Sequence, residues 1–251
     1  MNTEVKNVII ATDGKAQYDT SAKRLLAQKN ILAHILVRTV DEFKEMKPEE
    51  VVSYIEGEPK IGTVPIEPGM TNMMKSSQSG QKIKEMNTED VEINEGMIRF
   101  DIIFYVRMKD GISQIIVNIE AQKAEPIAYK IINRSVFYVS RLISSQKERD
   151  FVKSNYDDIK RVFSIWICMN PPKNRENTIT RYYVEEENLV GKVKEEKRNY
   201  DLLTAVMICL GQPEDLDEAG VLRLLNVLLS TETKPEEKCH ILENDFLIKM
   251  T

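Results

Sequence analysis

Asp101 and Glu120 are the two side chains whose types and spacing point most directly to chemistry. If the chain reverses at Asp110-Gly111, a dipeptide favoured in two-residue hairpin turns, positions i and j face each other wherever i + j = 221. Asp101 then lies directly opposite Glu120. Directly opposed side chains have Cβ atoms only ~5 Å apart, and like charges there repel. A cation or a shared proton reconciles such a pair. The competing reading is a solvated strand face that carries two surface acids.

Phosphodiester hydrolysis needs an activated water and a clamp for the negative charge that develops on phosphate. Carboxylates sharing one or two Mg²⁺ ions supply both. Asp101 and Glu120 are the candidate ligands, with the backbone carbonyl of Ala121 as an extra one. Gln122, on the same face as Glu120, is placed to orient the water or to contact phosphate. Lys123 follows at once, but strand alternation points it to the other face unless the strand ends there.

The elements that must position these residues are a hairpin and the helices around it. On the first strand, Ile98, Phe100, Ile102, Phe104 and Val106 share a face opposite Arg99, Asp101, Ile103, Tyr105 and Arg107. On the second, Ile115, Val117, Ile119 and Ala121 oppose Ile116, Asn118, Glu120 and Gln122. Only an odd i + j matches apolar to apolar, so register slips by one are excluded, whereas 219 or 223 leaves the acids diagonal. Residues 18–47 read as helical with Asp19 as N-cap, and the Pro- and Gly-rich stretch 56–85 reads as a loop or insertion. Pro126 opens a helix to about Ser145, with Ile132, Val136, Val139 and Ile143 facing the core. Lys130, Arg134, Tyr138 and Arg141 form its second stripe, a candidate contact for the DNA backbone.

Val162–Met169 reads as a buried strand stopped by Pro171-Pro172, and Thr178–Glu187 as a further strand. Periodicity does not assign Leu202–Leu210. Residues 214–230 and 234–246 read as helices. The order helix, hairpin, helix, strand implies an α/β or α+β fold with a mixed sheet.

Composition narrows the class. The chain has 251 residues, 42% of them hydrophobic, which suffices for a buried core. Three scattered cysteines and no secretory leader suggest reduced thiols in a soluble cytoplasmic protein. No apolar run has the ~18 residues of a spanning helix, so no membrane partner is expected. The net charge of −5 argues against non-specific nucleic-acid binding by the whole surface, yet residues 123–161 hold nine basic and five acidic side chains. His34 reads as a packed or surface histidine, and Cys239-His240 lacks a second ligand pair for zinc. Cys168 and Trp166 read as core residues.

Asp101, eighteen intervening residues and then Glu120-Ala121-Gln122-Lys123 resemble the PD-(D/E)XK nuclease superfamily. Three wider runs, Val117–Lys123, Arg134–Tyr138 and Ser164–Pro172, resemble its transposase-like, recombination-promoting nuclease branch. Tyr18-Asp19, Lys23–Leu26 and the Leu222–Leu229 helix fit that branch as well. The resemblance covers most of the chain except about 48–90. It implies a restriction-endonuclease-like α/β core with a mixed four-stranded sheet flanked by helices, over residues 1–172. A strand and helical C-terminal extension would follow at 173–251. It further implies a Mg²⁺-dependent DNA endonuclease, with Mn²⁺ as a substitute, acting on double-stranded DNA in transposition or recombination. A homodimer would cut both strands.

By this resemblance Asp101 and Glu120 match the metal-binding acids, and Gln122 stands where most members carry a catalytic lysine. Gln cannot supply positive charge; Lys123 and Lys130 are candidate substitutes. The superfamily's acid on the first helix has no clear match, with Asp19 and Glu42 as candidates. The alternative is a catalytically weak or inactive nuclease-like module that binds DNA or protein.

Overall fold

Alternation and apolar runs in this chain resolve into one mixed sheet with helices on both faces. The structure, a computed structural model, describes residues 15–62, 89–92, 96–99, 101–110, 114–123, 126–212 and 220–248. The elements begin with helices α1 (Lys15–Leu26), α2 (Lys29–Thr39) and the short α3 (Pro48–Val51). Strands β1 (Ile55–Ile61), β2 (Glu89–Glu92), β3 (Gly96–Arg99), β4 (Ile102–Arg107) and β5 (Gln114–Gln122) follow. Then come α4 (Ile131–Ser144), β6 (Arg161–Cys168), β7 (Thr178–Tyr183), the one-turn α5 (Lys197–Tyr200) and β8 (Leu203–Cys209). Helices α6 (Gly220–Leu229) and α7 (Pro235–Asp245) complete the set.

The main sheet has six strands in the order β1-β4-β5-β6-β8-β7, and β2-β3 form a separate pair. It is wider than the four strands expected. Its central strands β5, β6 and β8 run parallel, while β4 and β7 are antiparallel to their neighbours. Helix α4 makes the β5-to-β6 crossover, which a parallel pair requires. Leu203–Cys209 proves to be a strand inside this sheet. Its burial on both faces removes the alternation by which a strand is recognised.

One face carries Ile102, Phe104, Val106, Val117, Ile119, Phe163, Ile165 and Ile167, packed against α1, α2 and α6 through Leu26, Ile35, Leu36 and Leu225. The other carries Ile103, Ile116, Val162, Trp166 and Met207 beneath Ile131, Tyr138, Val139 and Leu142 of α4. Both faces of the hairpin are therefore buried. A solvated polar face on β5 is excluded, because Asn118 and Glu120 lie under α4.

Several expectations need correction. The helix expected over 18–47 breaks at Ala27-Gln28 into α1 and α2, and Asp19 lies inside α1 rather than capping it. Helix α4 starts at Ile131, five residues after Pro126, and buries Ile131, Ser135, Tyr138, Val139, Arg141 and Leu142. Val136 is exposed instead of facing the core. Part of the expected insertion is structured: β1 pairs with β4, with a bulge beside Gly57, which has φ 56°. Ile98 and Arg99 belong to β3 and pair with β2, so the first hairpin strand begins only at Ile102. Most of the 56–85 stretch, Phe100 and Gly111 lie outside the described residues. Among the described residues no helix is long and apolar enough to cross a membrane.

Candidate active site

Antiparallel pairing of β4 with β5 runs from Ile102↔Ile119 to Arg107↔Gln114, each pair summing to 221. The expected register is therefore the observed one. Asp101 sits in a bend immediately before β4, at the carboxyl end of β5, where ligands of open α/β sheets gather. There the ladder is replaced by a reciprocal clasp. The Asp101 N–H donates to Glu120 Oε1 (3.0 Å), and the Ala121 N–H donates to Asp101 Oδ2 (3.1 Å). The Asp101 carbonyl accepts from the Gly62 N–H (2.9 Å) just past β1, which pins the bend from its other side.

Glu120 is only 4% exposed, although its side chain is ionisable. A chain of hydrogen bonds on the α4 face holds it. Trp166 Nε1–H donates to Ser164 Oγ (2.9 Å), Ser164 Oγ–H to Asn118 Oδ1 (2.6 Å), and Asn118 Nδ2–H to Glu120 Oε1 (2.8 Å). These residues share a face because Asn118 pairs with Ser164 and Glu120 with Trp166 across the parallel β5–β6 ladder. Burial, and then the charge of Asp101, push the Glu120 carboxyl well above the usual carboxylate range, to about 8. The Asp101 N–H, Asn118 and the Arg134 charge oppose that rise.

Two cations border the pair. Lys23, from α1, sets its Nζ 2.8 Å from Asp101 Oδ1, with both side chains about four-fifths buried. Arg134, from α4, lies over the rings of Tyr138 (4.9 Å) and Trp166 (5.2 Å) and donates to the Tyr138 hydroxyl (2.7 Å) and the Tyr129 hydroxyl (3.1 Å). In the sequence Lys23 stands out only as part of the Lys23–Leu26 run that fits the resemblance, with no role at the site. It lies nearly eighty residues before Asp101, and only the packing of α1 brings the two together.

The other expected residues are distributed unevenly. Gln122 ends β5 on the Glu120 face, half-buried, and its carbonyl accepts from the Met169 N–H. Lys123 is exposed just beyond the strand, and its carbonyl accepts from Asn170 Nδ2 (2.8 Å). Lys130 is exposed at the N-cap of α4. Tyr138 and Arg141, expected on a DNA-facing stripe, are buried at 8% and 3% exposure. The stripe fails because α4 packs one residue out of phase with the expected apolar set, turning these side chains toward the sheet. Glu42 pairs with Arg161 (3.7 Å), the first residue of β6, and so lies at the opposite end of the sheet from Glu120. A cavity of about 230 Å³ opens beside the strand ends, lined by Ile131, Arg175, Tyr182, Met207 and by Cys168, the cross-strand partner of Gln122.

No family model, curated protein or solved structure matches this chain.

Among the described residues no group of three or more His, Cys, Asp or Glu side chains is clustered as a metal cage. Two neighbouring carboxylates are nevertheless a workable donor set for Mg²⁺ or Mn²⁺. Mg²⁺ keeps several waters and is commonly held by one or two carboxylates together with substrate phosphate oxygens. Burial first, and Asp101 second, raise the Glu120 carboxyl, and a divalent ion between the two acids would favour its charged form beyond what Lys23 and Arg134 provide. The donor chemistry thus fits such an ion.

Proposed function

We propose that this chain is a divalent-metal-dependent DNA endonuclease with a restriction-endonuclease-like core, in which Asp101 and Glu120 hold the metal. The observation that carries this reading is the reciprocal Asp101–Glu120 clasp at the carboxyl end of β5, which sets two carboxyl groups side by side, one of them buried. Strands β4-β5-β6-β8 correspond to the four-stranded centre of such a core; because β8 (Leu203–Cys209) lies between β6 and β7 in the same sheet, the core runs past the expected 1–172 body and takes in part of the expected 173–251 extension. When bound, Mg²⁺ or Mn²⁺ supplies an acidified water and neutralises charge developing on the phosphate.

The protein's own residues do the positioning. Asn118 and the Asp101 N–H fix Glu120 Oε1, so the carboxylate is oriented before substrate arrives. Gln122, next along the same face, orients the attacking water or contacts the phosphate. Exposed Lys123 and Lys130 meet the backbone of double-stranded DNA. Two copies of the chain cut the two strands, in a cytoplasmic recombination or transposition reaction.

The test is nicking of supercoiled plasmid with Mg²⁺ or Mn²⁺ by the wild type, Asp101→Asn and Glu120→Gln. Cleavage that needs the metal and disappears in both variants is the expected result. A wild type that never nicks overturns the enzyme. The Lys23–Asp101 ion pair favours a second reading, a non-catalytic DNA-binding module whose acidic pair is already satisfied. That module binds DNA in a salt-sensitive way, indifferent to metal and to Glu120→Gln.

A further inference from the structure

Gln122, the next residue on the Glu120 face at the end of β5, carries no positive charge, so on the endonuclease reading this strand offers none to a bound phosphate. The helices supply what the strand does not. Lys23 Nζ lies 2.8 Å from Asp101 Oδ1, and its side chain keeps about a fifth of its surface open to solvent, so the ammonium is held at the edge of the site. Ala22, Leu25 and Leu26 of α1 are buried in the core, which fixes the helix and so the height from which Lys23 reaches in. The remaining candidate cations are less suited. Lys123 is exposed beyond the strand end, Lys130 is exposed at the start of α4, and the Arg134 guanidinium is engaged with two tyrosine hydroxyls and two rings.

We infer that Lys23 is the catalytic cation of this site, transferring from Asp101 to the scissile phosphate when the divalent ion and DNA bind. The inference rests on the endonuclease reading. Without metal, the ammonium neutralises Asp101 and stands in for part of the charge that the ion brings. With metal and DNA, Asp101 turns its charge to the ion, and the long flexible lysine stem lets the ammonium follow the nearest unpaired anion, the phosphate. One residue thereby has two opposed effects. It speeds cleavage by stabilising the developing phosphate charge, and it weakens metal binding by competing for Asp101 and repelling the ion.

Those opposed effects give the test. In Lys23→Met, nicking by the full chain is expected to fall about 10²-fold or more, the usual loss for one transition-state contact. Affinity for Mn²⁺ alone, measured by titration without DNA, is expected to rise roughly tenfold, since a unit positive charge a few ångströms from the ion is removed. Lys23→Arg is expected to keep part of the activity and the wild-type affinity. Transfer of the lysine to the strand, in Lys23→Met combined with Gln122→Lys, is expected to recover cleavage. Unchanged nicking in Lys23→Met overturns the inference, as does a fall in Mn²⁺ affinity alongside activity, the mark of a residue that merely props up Asp101. A double variant as inactive as Lys23→Met also overturns it. A wild type without nicking defeats the enzyme reading itself, whereas the Mn²⁺ titration still reports whether Lys23 opposes the ion.

Discussion

Replacing Glu120 by Gln should stabilise the metal-free protein, and by an amount that grows with pH. In the unfolded chain a glutamate titrates near 4.3. In the fold, burial and Asp101 raise the same carboxyl to about 8. Between those values the folded state keeps a proton that the unfolded state has released, so stability is full below about pH 4 and declines as pH rises toward 8. The slope is up to ~1.4 kcal/mol per unit, and over the two to three units up to pH 7 the loss is on the order of 3 kcal/mol. Glutamine has the same shape, is neutral at every pH, and its Oε1 accepts the same hydrogen bonds from the Asp101 N–H and Asn118. The rest of the protein titrates alike in both forms and cancels in the difference.

For a chain of this size, ~2–4 °C of Tm accompanies each kcal/mol. Scanning calorimetry in EDTA should find Glu120→Gln melting only a few degrees higher at pH 5 and about 10–15 °C higher at pH 8, where the difference reaches roughly 4–5 kcal/mol. A gap that stays constant with pH refutes the reasoning. So does a Glu120→Gln protein that is the less stable one at pH 8, because that is the behaviour of a carboxylate stabilised by an ion pair.

Excess Mg²⁺ at pH 8 should raise the wild-type Tm while leaving Glu120→Gln unmoved; an ion at ten times its Kd contributes about 1.4 kcal/mol, a rise of roughly 3–5 °C. Equal shifts in both proteins would mean that the ion binds elsewhere. Ser164→Ala strands the Trp166 Nε1–H and the Asn118 Oδ1 in a fully buried setting. It should cost about 1–3 kcal/mol in urea unfolding, and a cost below about 0.5 kcal/mol would deny that this chain of hydrogen bonds is closed to water. Lys130→Ala should flatten the salt dependence of DNA binding by about one unit of slope, whereas Arg141→Ala should lower stability and leave that slope unchanged, since Arg141 is buried. A flattened slope in Arg141→Ala would restore the surface stripe that the packing of α4 argues against.

What could be seen in the chain beforehand follows from how locally each feature is encoded. The hairpin register was legible because strand side chains alternate with period two, and a slip by one would have set Asp101 among Ile102, Phe104 and Val106. The helix expected over 234–246 is α7, Pro235–Asp245, and the structure shows why it starts there, with Pro235 at its first turn and Glu236 and Glu237 just after it. Strand β8 was not legible, because Leu203–Cys209 is apolar on both faces, and period is then silent. The orientation of α4 was misread for a related reason. Tyr138 and Arg141 look like surface residues by type, and only the sheet beneath them, with Trp166 and Met207, makes burying their long stems favourable.

The sequence by itself determined that Asp101 and Glu120 would meet: the turn, the strand lengths and the alternation leave few other registers. Tertiary structure decided what kind of pair they make. Covering β5 with α4 withdraws Glu120 from water and turns it into a carboxyl that keeps its proton, while packing α1 on the opposite face delivers Lys23 to Asp101. Charge states depend on desolvation and on neighbours within a few ångströms, and neither is encoded along a single strand.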